Sequence, residues 1–292
     1  MPMNPVMKQL NSEITRPMAS RMIGKIRIGG PIMPAAGGRA YPGTRNVSPD
    51  RIIQKIHWAE QRGLRAIIFE INSPGGAVVA SKEIADAVKA AKPATVAWIR
   101  DVGASGAYWV ASACDRIVAD ECSSVGSIGV LGQHLEFSEL MKKYGVHYEG
   151  FKSGELKDMG VPFRKTTTKE KKIIQTHLDD VHKFFIESVA ANRGLPVEKI
   201  EACATGQVFM GEEARRLGLV DKIGGRAEAI RQCEIAAHFK HLTVIDIEDI
   251  RDELFYMFRT LLSQMNMDLG VGLAEGFSQF FTRPGGGTGT MV

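Results

Sequence analysis

Long apolar runs are missing from this chain of 292 residues. No stretch of about 18 uninterrupted apolar residues occurs, which argues against a membrane-spanning helix. The opening MPMNPVMKQLNSEI has no apolar core followed by a small-residue cleavage site, so it does not read as a signal peptide. Cysteines number four (Cys114, Cys122, Cys203, Cys233), with no CxxC pair and no zinc spacing, which excludes a disulfide scaffold and a zinc module and leaves free thiols or core fillers. Neither sign of charge dominates. The 37 Lys and Arg against 33 Asp and Glu give a net charge of +4, and the basic residues are spread out instead of forming a nucleic-acid surface. Aromatics are only 7% of residues, too few for an aromatic-packed β-sandwich. What is present is glycine (31 residues), much alanine, 44% hydrophobic and 24% charged residues, the composition of a globular α/β protein large enough to bury a sizeable core. A cytoplasmic location is expected.

Along the chain the hydrophobic pattern alternates. Residues 1–23 are polar and Met-rich and are expected to form a mobile arm. A strand is expected over Gly24 to Ile32, then a Gly/Pro-rich loop. A helix follows, with Ser48 as its cap, Pro49 in the first turn, and Ile52, Ile53, Ile56 and Ala59 as its apolar stripe. Strands are expected at Ala66–Ile71, Ala94–Ile99 and Arg116–Ala119, with helices at Ala77–Ala91 and Gly106–Ala113. That pace of strand, helix and strand means βαβ units and a mostly parallel sheet. Lys169 to Asn192 has the period of a long amphipathic helix, with Ile173, His177, Val181, Phe184, Phe185 and Val189 on one side. Helices at Gly211–Leu217 and Arg226–Ala237 and a strand at Leu242–Ile247 complete a catalytic domain expected over 24–247. Residues 248–283 read as a helical oligomerisation arm, with lipid-surface binding as the alternative, and 284–292 as a flexible tail.

Two glycine-rich turns stand out. Asn72-Ser73-Pro74-Gly75-Gly76 follows a strand and opens a helix, a setting in which uncovered backbone N–H groups can hold an anion or a developing oxyanion. It lacks the G-K-[ST] of a phosphate loop. Gly103-Ala104-Ser105-Gly106-Ala107 repeats the setting with a serine on the turn; its second glycine falls one position too early for the α/β-hydrolase motif. Alone, the first reads better as an ordinary tight turn and Ser105 as a helix cap. Together, at the carboxyl ends of neighbouring parallel strands, they lie where α/β proteins place their sites. One supplies oxyanion donors and the other a nucleophile. The serine needs a base. His134 is the histidine nearest these motifs, while His177 and His182 read as core or surface positions on the long helix. Phe151-Lys152-Ser153-Gly154-Glu155-Leu156-Lys157-Asp158 reads as a strand end passing into a turn with two lysines, and a lysine acts as base only when its amine is neutral.

The ordered series NSPGG, GASGAYWVAS, VGSIGV, KSGELKD and TGQVFMGEEARRLGLVDKIGG, over residues 24–235, resembles signal peptide peptidase A (SppA) in its short form. The resemblance implies the ClpP/crotonase-like α/β superfold of repeated βαβ units, a Ser–Lys dyad and a ring-like homo-oligomer. Carried over by position, it implies Ser105 as nucleophile, Lys157 as general base, Ser127 as the residue that orients the lysine, and Gly75 or Gly76 with Gly106 as the oxyanion hole. It implies no metal and no other cofactor. Ala107, Val130 and Leu131 are candidate lining for a peptide with small or apolar residues beside the scissile bond. The expected activity is endoproteolysis of signal-peptide remnants or other unfolded hydrophobic peptides through an acyl-enzyme. Peptides and further copies of the chain are the expected partners, nucleic acid is not, and peripheral membrane contact stays open. The alternatives are a phage head-maturation type of protease, a crotonase-type acyl-CoA enzyme using Glu155 or Asp158, and an inactive scaffold.

Overall fold

The computed structural model describes residues 21–34 and 46–247. The helical arm and tail expected beyond 247, and all but the last three residues of the N-terminal arm, lie outside them.

The centre of the fold is a sheet with the path β6-β5-β3-β2-β1-β8. Strand β1 (Met22–Gly29) pairs in parallel with β2 (Ala66–Ser73) and with β8 (Thr243–Asp246). It begins and ends earlier than the sequence pattern indicated, because Gly30 turns the chain at φ 88° and Ile32 makes only isolated bridges to Val47 and Gly76. Strand β3 (Ala94–Ala104) is long enough to take two neighbours on one edge: β4 (Arg116–Ala119) along its first half and β5 (Ser124–Gly126) along its second. Both run parallel to it. The short β7 (Lys222–Ile223) adds to β4, and β6 (Val208–Met210) closes on β5 as the antiparallel pair.

The continuous apolar run of β2 reflects burial on both faces, as parallel strands require. Ile67, Phe69 and Ile71 enter the larger core under α1 (Pro49–Arg62), α2 (Val78–Ala90) and α3 (Gly106–Ser112). Ala66 and Ile68 point the other way, into a smaller core under α8 (Arg226–Ala236). The remaining helices are α4 (Ser138–Lys143), α5 (Thr168–Arg193), α6 (Val197–Glu201) and α7 (Gly211–Leu217). Beyond the reach of α8, the second face turns polar: Glu70 takes Lys25 at 3.3 Å and Arg100 at 2.8 Å.

Three local expectations are corrected. Ser48 occupies the N-cap of α1, but its buried hydroxyl makes no cap bond and has no partner among the described residues. Helix α5 buries only Phe185, Ile186, Val189 and Ala190 of its C-terminal half together with Glu170, whereas His177 and Phe184 of the expected apolar side are exposed. The segment leading into the lysine turn at 151 is not a strand; residues 153–160 form successive turns. The cysteines are free as expected, with Cys122 exposed and the other three buried.

Candidate active site

Ser105 sits where β3 gives way to α3, with φ 51° and ψ −126°. This sparsely populated conformation costs on the order of 1–3 kcal/mol and persists only where the surroundings impose it. They do so here by hydrogen bonding: the Ser105 N–H donates to the Gly126 carbonyl at 2.7 Å, tying the turn to the end of β5. Its side chain makes no cap bond, so the capping role open to a serine at this position is not the one it plays. Ser127, one residue past the end of β5, has the same φ of 51° and is fixed by its N–H donating to the Gln207 carbonyl at 2.8 Å. Since Ala104 and Gly126 are register partners, the two serines follow each other's strands at the same level.

The other wall is the NSPGG turn. Ser73 is in register with Gly103, which sets the two glycine-rich turns side by side. Ser73 Oγ donates to the Gly30 carbonyl at 2.6 Å and accepts the Gly75 N–H at 3.1 Å, so that N–H is already engaged. Gly75, at φ +92°, lies so close to the serine turn that a Cβ would stand 2.6 Å from the Gly106 nitrogen and 2.8 Å from the Ala104 carbonyl oxygen. A Cβ on Gly76 would strike the Ile32 carbonyl, and one on Gly106 would strike Ser81 Oγ. Among the described residues the Gly76 N–H has no hydrogen-bond partner. The Gly106 N–H, in the first turn of its helix, has none within the helix.

Ser105 and Ser127 face a cavity of about 600 Å³, lined also by Val130 and Leu131 and by Leu178, Asp179 and His182 of α5. Ala107, a candidate lining residue, is instead fully buried. The helix α5 is held over the cavity from its C-terminal end. Trp109 of α3 stacks on Phe185 with ring centroids 4.5 Å apart, Asn192 donates to Ser112 Oγ at 3.2 Å, and the largely buried Arg193 pairs with Asp221 at 2.7 Å. Tyr108, whose hydroxyl donates to the Leu219 carbonyl at 2.9 Å, is wholly enclosed, and burial pushes its phenol well above the ordinary range.

Lys157 stands elsewhere: it is exposed and is not among the residues lining the cavity. The structure thus brings Ser105, Ser127 and the glycine turns together but not the lysine. The turn that carries it is rigidly held. Arg164 grips Asp158 through two nitrogens, at 2.8 and 2.9 Å, and Glu170 through two more contacts, at 2.5 and 2.9 Å. Glu170 and Thr167 form a full capping box at the start of α5. Arg164 holds the Glu170 carboxyl down to about 2, with the Thr167 N–H assisting, and holds the Asp158 carboxyl, with Lys152, well below the usual carboxylate range. His134 is exposed, its Nε2 3.2 Å from Thr166 Oγ1, and is not a lining residue either. The imidazole that does line the cavity is that of His182, whose buried Nε2 has no partner among the described residues. The signal that could have exposed it is the stripe Leu178, Asp179, His182, which shares one helix face.

A mostly parallel α/β sheet thus sets a strained serine between a strand and a helix, beside a glycine turn in which the Gly76 N–H has no partner among the described residues. Comparison with known proteins gives the family. The model of Clp protease matches residues 43–122, and that of peptidase family S49 matches residues 86–240. A protease-named protein of Methanocaldococcus jannaschii is 35% identical over 63% of this chain and 60% of its own length. A second, from Synechocystis, is 35% identical over 66% of this chain and 69% of its own. A protein of Enterococcus faecium named as signal peptide peptidase SppA is 32% identical over 65% and 56%. The matched region therefore spans somewhat under two thirds of the length of two of these three relatives. A solved ClpP1 mutant of Listeria monocytogenes is 15% identical, covering 74% of this chain and 99% of that one at a TM-score of 0.47. The chain belongs to peptidase family S49. Among the described residues no helix is long and apolar enough to cross a membrane.

Proposed function

We propose that the protein is a serine endopeptidase that hydrolyses unfolded hydrophobic peptides, signal-peptide remnants among them, through an acyl-enzyme on Ser105. The single observation that carries this reading is the Ser105 turn itself, strained, uncapped and set against the Gly76 and Gly106 N–H groups. In the proposed reaction the neutral Lys157 amine, oriented by Ser127, takes the Ser105 proton as Oγ attacks the peptide carbonyl. The oxyanion lies between the two backbone donors, the tetrahedral intermediate collapses, and the lysine returns its proton to the leaving amine. Water, deprotonated by the same lysine, then releases the acyl group. Gly75 serves this site by letting the two turns touch, and Gly76 rather than Gly75 is the donor, since the Gly75 N–H is spent on Ser73.

The reading requires Lys157 to reach a Ser105, of its own subunit or a neighbour's. A homo-oligomeric ring is the proposed means. The segment around the lysine carries large apolar side chains that a single chain leaves in water: Leu131 is 79% exposed, Tyr144 72% and Phe151 90%. Such a surface marks an interaction face. The relative named as a signal peptide peptidase supports the substrate class, and Val130, Leu131 and Leu178 give the cavity an apolar side. The acyl-CoA reading fares worse, because Glu155 and Asp158 are occupied by Lys169 at 2.7 Å and by Lys152 at 2.6 Å.

The test is cleavage of a fluorogenic peptide with Ala or Leu at the scissile bond, with fluorophosphonate labelling alongside, for wild type, Ser105→Ala, Lys157→Ala and His182→Ala. Loss of turnover in the first two variants and not the third is the expected result. Loss in His182→Ala with Lys157→Ala active would transfer the base to the histidine. An unlabelled wild type would point to the acyl-CoA or scaffold readings.

A further inference from the structure

The lysine turn contains more acid than a lysine base tolerates. Glu155 is two residues before Lys157 and Asp158 immediately after it, and an anion beside an amine favours the ammonium form, which cannot accept a proton. Each of these carboxylates is nevertheless taken by another cation. Glu155 pairs with Lys169 at 2.7 Å. Asp158 takes Lys152 at 2.6 Å on Oδ1, and Arg164 on both oxygens. Arg164 Nη2 also donates to the Asp158 backbone carbonyl at 3.1 Å, so it fixes the main chain next to Lys157 as well as the side chain. Two further carboxylates are likewise engaged, Glu170 with Arg164 and Glu139 with Lys165, each at 2.5 Å. Among the described residues no carboxylate pairs with Lys157.

We propose that Arg164 is a positioning residue for the Lys157 base: its planar grip on Asp158 turns the nearest carboxylate away from the Lys157 amine and fixes the turn on the N-terminus of α5. A guanidinium suits this task because it can hold two carboxylates in a plane at once and keeps its own charge at any working pH. The burial pattern agrees: the Glu170 side chain is 3% exposed and Asp158 16%, so the clamp lies on the inner side of the turn while Lys157 points into solvent. The inference rests on Lys157 being the base of the proposed reaction.

Release of Asp158 has a signed consequence. With Arg164 gone, Asp158 keeps only Lys152, on Oδ1, and the released Oδ2 can pair with Lys157; the ammonium is favoured, and the amine becomes available only at higher pH. The experiment is the rate of fluorophosphonate labelling of the full-length protein between about pH 6 and pH 10, for wild type, Arg164→Ala, Arg164→Ala with Asp158→Asn, and Lys157→Ala. In Arg164→Ala the rising limb is expected to move upward by about one pH unit. Adding Asp158→Asn, which removes the carboxylate while leaving the clamp broken, is expected to bring the limb back. A merely structural Arg164 would lower the plateau of both variants and leave the limb in place. Lys152→Ala, which takes away the exposed cation on the same Asp158 oxygen without touching the α5 cap, is expected to shift the limb in the same direction by less. It serves if Arg164→Ala does not fold. An unmoved limb in Arg164→Ala (in Lys152→Ala should that variant not fold), or a double variant shifted as far as the single one, overturns the inference, provided Lys157→Ala is unlabelled. Labelling of Lys157→Ala at the wild-type rate instead overturns the dyad beneath it.

Discussion

Gly75→Ala tests whether contact between the two glycine turns makes the site. The added Cβ would lie 2.6 Å from the Gly106 nitrogen, 2.8 Å from the Ala104 oxygen and 3.0 Å from Ser105 Cβ. The nearest of these falls short of an ordinary ~3.5 Å contact by roughly 0.9 Å, and all three atoms are backbone or the Ser105 Cβ, so none can swing aside. Overpacking of this kind costs about 1–3 kcal/mol, and holding alanine at φ +92° adds about 1–2 kcal/mol. A stability loss of about 2–5 kcal/mol is therefore expected in urea unfolding. Where the variant is still folded, relief of the clash displaces the Gly106 N–H and Ser105 together, and loss of one of the two proposed oxyanion donors is expected to lower kcat by about 100-fold or more. Gly63→Ala is the matched control: it sits at φ +72° with nothing within 4 Å of its Cβ, so it pays the conformational cost alone. It should lose about 1–2 kcal/mol and keep its kcat. The reasoning is refuted if folded Gly75→Ala retains kcat within about threefold of wild type.

The two helix caps give a paired prediction. Thr167→Ala should cost about 1 kcal/mol because it breaks a complete capping box, whereas Ser48→Ala, which removes a buried hydroxyl with no partner, should be neutral or slightly stabilising; thermal melts of both variants decide. Glu170 is held down to about 2 in the folded protein, so its contribution is complete above its ordinary value of 4.5 and is lost as pH falls from there toward 2. Glu170→Gln should flatten that acid limb of stability, read by fluorescence-monitored unfolding against pH. Of the four thiols, the exposed Cys122 alone should react quickly with a thiol reagent in the native protein, and the buried Cys114, Cys203 and Cys233, whose thiols burial pushes up, only on unfolding. Rapid reaction of more than one thiol in the native protein would contradict the burial assigned to them.

Much of this protein is set by local sequence. The βαβ rhythm, the continuous apolar run of β2, the glycine-rich turns after β2 and β3, and the serine on the second of them are properties of short segments, because strand burial and turn chemistry depend on residues within a few positions of one another. The pairing of Ser105 with Ser127 needed the fold, since β5 is three residues long with no periodicity to announce it, and it becomes a strand only by adding to the far half of β3. So did the choice between Gly75 and Gly76, which turns on Ser73 Oγ intercepting one N–H. The apolar stripe of α5 was legible, but its burial was not: only the half that meets Trp109 is covered, and the other half lines a cavity and brings His182 into it. Ser48 carries the sequence of a cap without the bond, because a cap depends on the rotamer that the surrounding core allows. Finally, sequence spacing places Lys157 in a turn with Asp158 and Glu155, but only the tertiary structure could show that Arg164, Lys152 and Lys169 already hold those carboxylates. Ion pairs form between side chains that the fold brings together, and no pattern along the chain records which of several neighbouring charges each one meets.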